Sequence, residues 1–74
     1  MYPNPANDFM QIEMPLNQNQ GILEIYSIQG QILQSESIRQ NHQTINISSL
    51  LPGIYLCKLH LGNDSYQAEL VVVK

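Results

Sequence analysis

From Tyr55 to Leu61 the chain alternates: Tyr55, Cys57, Leu59 and Leu61 occupy one set of positions, and Leu56, Lys58 and His60 the other. A side-chain repeat of two belongs to a β-strand with one face on a core and the other in water. The same period recurs along the chain. Met10, Ile12 and Met14 alternate with Gln11 and Glu13. Leu23 and Ile25 flank Glu24 in a strand expected to run to about Ile28, and Ile45 and Ile47 flank Asn46. A more polar strand is expected over 31–38, and a last one over 66–73, apolar on both faces after Leu70. Turn signals separate these runs: Ser27-Ile28-Gln29-Gly30, the Pro52-Gly53 break, and Gly62-Asn63-Asp64-Ser65. Residues 39–43 carry no apolar side chain and are expected as a loop or a short edge piece, with a seventh short strand near 36–42 as the alternative. Six or seven strands at a spacing of roughly ten residues indicate an antiparallel sandwich or barrel. Connections of hairpin length leave no room for the crossovers of a parallel sheet. The expected class is all-β.

Composition narrows the partners. The 74 residues make one small domain, and only 12% are charged, about half the usual ~25%. Nine Gln and seven Asn supply the polar surface instead, and the net charge is −3. A nucleic-acid face needs clustered Lys and Arg, and a membrane-surface patch needs a polybasic segment. The chain has neither. Its longest apolar run, Leu70 to Val73, is far short of the ~20 residues that span a bilayer, so no direct membrane insertion is expected. Nor does the start show a basic region followed by an apolar stretch, so no secretory signal peptide is read. Met1 abuts a motif-like segment, and the chain reads as a piece cut from a larger protein. One cysteine, Cys57, allows no intrachain disulfide and no Cys-based zinc site. It reads as a small core hydrophobe rather than a reactive thiol, since no His or Lys stands beside it in the pattern.

The stretch Leu50-Leu51-Pro52-Gly53-Ile54-Tyr55-Leu56-Cys57 is the most specific. Immunoglobulin-like sandwiches often carry a tyrosine corner, where a Tyr near a strand start bonds its hydroxyl to backbone just upstream. Leu50 would then plug the bottom of the core, Gly53 would let the chain turn sharply, and Tyr55 would bury its ring. The expected architecture is a small immunoglobulin-like antiparallel β-sandwich of six to seven strands, without the second Cys and the core Trp of antibody domains.

Taken in order, four segments resemble the C-terminal sorting domain of proteins exported by the type IX secretion system of Bacteroidetes. They are Tyr2-Pro3-Asn4-Pro5-Ala6; Ile25-Tyr26-Ser27-Ile28-Gln29-Gly30; Ile45-Asn46-Ile47-Ser48-Ser49-Leu50-Leu51-Pro52-Gly53-Ile54-Tyr55; and Leu70-Val71-Val72-Val73 closing on Lys74. Ser27 stands where that family often has an acid or Asn, and Glu69 where relatives often carry a basic residue. The resemblance implies a non-catalytic address on a larger cargo. The cargo would cross the inner membrane by an N-terminal signal peptide, pass through the periplasm, and be recognised at the outer-membrane translocon. A cell-surface sortase-like protease would then remove the tail by a cut ahead of the domain, leaving the cargo at the cell surface or outside. The recognition residues implied are Tyr2, Pro3, Asn4, Pro5, Gly30, Leu50, Gly53, Tyr55, Leu70, Val71, Val72, Val73 and Lys74.

Pro3 and Pro5 favour an extended start that holds a linker clear of the domain. On the last strand Val71 and Val73 face away from Leu70 and Val72, so one face is free for a partner, with strand addition as one mode. The alternatives are a central strand covered on both faces, or a contact in a homodimer. Catalytic groupings fail: His42 falls in the polar loop, His60 faces away from Cys57, and Glu13, Glu24, Glu36 and Glu69 sit singly, as on an exposed sheet face. Ser35, Ser37, Ser48 and Ser49 have no base at motif spacing. No metal and no cofactor is expected. The rival reading is a carbohydrate-binding or adhesion sandwich, with Tyr26 and Tyr66 as its only plausible platforms; a passive spacer is another.

Overall fold

The computed structural model describes residues 7–13 and 20–73. Six antiparallel strands are formed among them: β1 Phe9–Glu13, β2 Gly21–Tyr26, β3 Ile32–Ile38, β4 His42–Asn46, β5 Gly53–Leu61 and β6 Asp64–Val72. Strands β3-β2-β5-β6 make one sheet, and β1 with β4 makes the other. The period-two pattern explains the layering. Met10 and Ile12 of β1 and Ile45 of β4 point to the same core as Leu23 and Ile25 of β2, Cys57, Leu59 and Leu61 of β5, and Leu70 and Val72 of β6. Ile38, Ile47 and Leu50 complete that cluster. Side chains of two sheets thus enclose one core, which is a small all-β sandwich.

The turns follow their residues. Ser27 N donates to Gln31 O at 2.8 Å and Gly30 N to Ser27 O at 3.0 Å. That closure ends β2 at Tyr26, two residues earlier than the apolar pattern implies. Gly30 takes a φ of 94° there, which L side chains rarely adopt. Ser27, in place of an acid or Asn, still supports the turn, because its hydroxyl accepts Gln31 N at 3.2 Å. Between β5 and β6, Leu61 pairs with Asp64 across Gly62 and Asn63, and Gly62 has a φ of 61°. A two-residue hairpin with its positive φ at the first position fits the right-handed twist of its strands.

Two expectations change. Residues 39–43 are not all loop, because β4 begins at His42 and pairs along its length with β1. No seventh strand forms among the described residues: Glu36 to Ile38 belongs to β3 and His42 to β4. Ile47 lies just beyond β4, yet it is buried and its N donates to Asp8 O at 2.8 Å. β6 is an edge strand of its sheet, so the alternative of a central strand covered on both faces does not hold.

Candidate recognition surface

Asn46 ends β4, and its Oδ1 accepts Ser48 N at 2.8 Å. Leu50 N donates to Ile47 O at 3.0 Å. These bonds make the sharp turn, and they bring Leu50 back under the core, where it is buried. Gly53 opens β5 with a φ of 157°, a value L side chains rarely adopt, so a side chain there would be strained although the nearest atoms, on the Tyr55 side chain, would lie 3.9 Å from its Cβ. The Tyr55 hydroxyl donates to the Leu51 carbonyl, and its ring packs on the core. This is a tyrosine corner.

Register then joins segments that are distant in sequence. Tyr55 pairs with Leu70, Ile54 with Val71 and Gly53 with Val72. The corner and the terminal apolar strand therefore lie side by side. Since Tyr26 pairs with Leu56, the turn holding Gly30 lies toward the same end of the sheet. Of the expected recognition residues, Leu50, Leu70 and Val72 are in the core, Tyr55 and Val71 are half-buried, and Gly30, Gly53 and Val73 are exposed. Tyr2, Pro3, Asn4, Pro5 and Lys74 lie outside the described residues, as does Met14.

The outer face of the four-stranded sheet carries a feature that no single segment reveals. Register aligns Ser37, Ile22, His60 and Ser65 in one row, then Ser35, Glu24, Lys58 and Gln67, then Ile32, Tyr26, Leu56 and Glu69, with Ile54 and Val71 beyond. His60 Nε2 lies 2.7 Å from Glu24 Oε1, and the Tyr26 hydroxyl donates to the same oxygen at 2.9 Å. Hydrogen bonds from His60 and then Tyr26 hold the Glu24 carboxyl below its ordinary range. The bond to Glu24 pushes the Tyr26 hydroxyl up. Lys58 Nζ stands 5.1 Å above the Tyr26 ring, within cation–π reach. These groups satisfy one another and order the face. The sequence placed Glu24, Lys58 and His60 at outward positions, but only the register shows that they meet.

The remaining candidates resolve simply. His42 is in a strand rather than a loop, with Nε2 2.8 Å from Gln11 Oε1 and Nδ1 3.8 Å from Glu13 Oε1. Glu36 is not on an outer face but on the core-side rim, where Gln34 Nε2 donates to it at 3.1 Å. Cys57 is fully buried and burial pushes its thiol up to about 11, so it packs as a core hydrophobe. Among the described residues no group of three His, Cys, Asp or Glu is placed to hold a metal. Tyr66 is exposed, whereas Tyr26 is tied down by Glu24 and Lys58.

A two-sheet antiparallel fold closed by a tyrosine corner, with its one thiol sealed in the core, belongs to the class of small all-β sandwiches. The chain is a member of the secretion system C-terminal sorting domain family, whose family model matches residues 1–74. Such a domain is the sorting tail of a cargo protein and the C-terminal signal for type IX secretion, directing export toward the cell surface or the extracellular space. No curated protein and no solved structure matches the chain.

Proposed function

We propose that the folded domain, rather than a linear peptide, is the address that the type IX machinery reads. The cargo reaches the periplasm by its own N-terminal signal peptide. The tail is recognised at the outer-membrane translocon, and a cell-surface sortase-like protease cuts in the linker ahead of the domain. The single observation that supports this is the convergence of the motif segments. Tyr55 pairs with Leu70 and Gly53 with Val72 across β5 and β6, and Leu50, Leu70 and Val72 share the core on which Tyr55 packs, although the two segments are distant in sequence. Leu50, Leu70 and Val72 are buried, so they act by shaping the surface that Gly30, Gly53, Val71 and Val73 present. The domain is read as one unit excised from a larger exported protein.

The test is export of the full cargo in a host with the secretion system. Removing residues 64–74 is expected to abolish export, and the wild-type cargo outside the cell is expected to lack the tail by mass. Normal export after that removal would overturn the sorting role, and an uncut tail outside the cell would overturn the cleavage step.

A further inference from the structure

Among the described residues β6 is the last strand of its sheet and pairs only with β5. The two-residue hairpin at Gly62 and Asn63 fixes which of its backbone groups face β5. Leu61 and Asp64 close that hairpin as a hydrogen-bonded pair, and bonded and non-bonded pairs then alternate along the ladder. Tyr55 with Leu70 and Gly53 with Val72 are therefore bonded pairs, whereas Leu56 with Glu69 and Ile54 with Val71 are not. The N–H and C=O of Glu69 and Val71 point away from β5, toward the outer edge. Val71 has no polar side-chain atom, yet it is engaged by a bonding partner, and so is Glu69. A backbone group of Val71 makes that bond, and β5 does not supply its other half.

The segment ahead of β1 is placed to supply it. β4 closes on β3 through Gln43 and Gln34, so β1 is the strand of the small sheet turned toward β6. Asp8 O accepts Ile47 N, so the chain enters β1 at the end where the corner sits and β6 finishes. Three residue steps from Ala6 to Phe9 span about 10 Å, the spacing of packed sheets. Residues 14–19 connect β1 to β2 at the opposite end, and Lys74 alone is too short to cover both Glu69 and Val71. A chain that follows β6 and enters β1 at the corner end runs in the direction of β6, so the pairing is parallel.

Tyr2-Pro3-Asn4-Pro5-Ala6 has the pattern of such an edge strand. Proline has no N–H to give, so prolines in sheets sit on edges with that side turned to solvent. At a period of two, Pro3 and Pro5 share one side, while Tyr2, Asn4 and Ala6 present N–H and C=O on the other. The segment pairs on one side only, and its prolines block the addition of a further strand.

We propose that residues 2–6 add to β6 as a parallel seventh strand, with Tyr2 opposite Ala68, Asn4 opposite Leu70 and Ala6 opposite Val72. In this register the Asn4 and Ala6 N–H groups donate to the Glu69 and Val71 carbonyls. The Glu69 and Val71 N–H groups donate in turn to the Tyr2 and Asn4 carbonyls. Ala68, small and on the core side of β6, leaves room for the Tyr2 ring. The motif that opens the tail and the apolar strand that ends it become one surface. On the sorting reading above, on which this last step rests, the machinery meets side chains and prolines there rather than an edge open to a strand of its own.

The experiment is amide exchange, resolved to single residues, on the full cargo with its tail and on a variant whose residues 2–6 are replaced by Gly and Ser. The wild type is expected to protect the Glu69 and Val71 amides. The replacement should speed both at least tenfold, while the Leu70 and Val72 amides, bonded to β5, stay within twofold. If the replacement loosens Leu70 and Val72 as well, paired cysteines in the otherwise intact chain decide. Pro5→Cys with Val71→Cys should then form a disulfide within one chain, and Pro5→Cys with Gln67→Cys should not, because four residues of offset exceed the reach of the bond. Glu69 and Val71 amides that exchange freely in the wild type, or that stay protected after the replacement, would overturn the proposal. A disulfide that joins two chains would overturn it in favour of self-association. Protection that appears only when solubilised outer membranes of the secreting host are added would overturn it in favour of a receptor strand. The sorting role stands through all of these as long as removal of residues 64–74 abolishes export.

Discussion

Cys57 stands opposite Ile25 on one side and Ala68 on the other, with no exposed surface. Burial disfavours the thiolate and raises the thiol from 9.0 to about 11. In this group the raised value means that the folded state keeps its proton after the unfolded chain has lost it. The stability it contributes is complete below about pH 9 and is lost between there and about pH 11, worth roughly 2–3 kcal/mol in full. Cys57→Ala is expected to be less stable at neutral pH but flatter in that window. Urea midpoints of both proteins at pH 7, 9 and 10.5 check this, and parallel curves would show that the thiol does not titrate as described. Tyr55 makes a second residue-scale case. Tyr55→Phe keeps the ring and removes the bond to the Leu51 carbonyl. A loss of about 1–1.5 kcal/mol is expected by denaturant unfolding. Both residues were legible in the sequence because each acts within one strand and its adjoining turn. The Glu24–His60–Tyr26 cluster was not, because 36 residues separate Glu24 from His60 and only strand pairing joins them.

At the scale of elements, the amide-rich composition finds a structural use. β3 is an edge strand, and edges invite pairing with other chains. Gln43 of β4 donates Nε2 to the Ser37 carbonyl at 3.1 Å, and its Oε1 accepts Arg39 N at 3.0 Å. Gln34 Nε2 donates to the Asn46 carbonyl at 2.8 Å, so amides bridge the open side between the two sheets. Gln43→Leu is expected to cost about 1–2 kcal/mol for the two bonds and to raise aggregation through the exposed edge. Thermal unfolding with light scattering checks both, and an unchanged midpoint would mean that solvent replaces Gln43 fully. These bridges also explain why the strand expected around Ile45 and Asn46 begins earlier than its apolar pattern shows. His42 and Gln43 read as loop or a short edge piece because only Ile45 of this strand reaches the core, while polar bonds do the rest. The hairpin at Gly62 and the alternation of β5 were plain because turn chemistry and period two act within a few residues.

For the whole molecule the question is what a receptor can read. A domain of 74 residues buries only ~60% of the surface its unfolded chain exposes, and such domains are marginal. Leu50→Ala removes a buried plug and is expected to cost about 2–5 kcal/mol, a large part of a typical ~5–15 kcal/mol. Leu50 is also a motif position with almost no exposed surface, which separates two ways of reading the tail. If the folded shape is the signal, export of Leu50→Ala falls in proportion to the folded fraction, and any change that restores stability restores export. Lower growth temperature is one such change; a stabilising substitution away from the corner is another. If the receptor instead reads the extended motif, Leu50→Ala loses export at every temperature, however well the tail is folded. Export of Leu50→Ala measured at two temperatures beside its folded fraction is expected to lie on one line with Tyr55→Phe and Gln43→Leu.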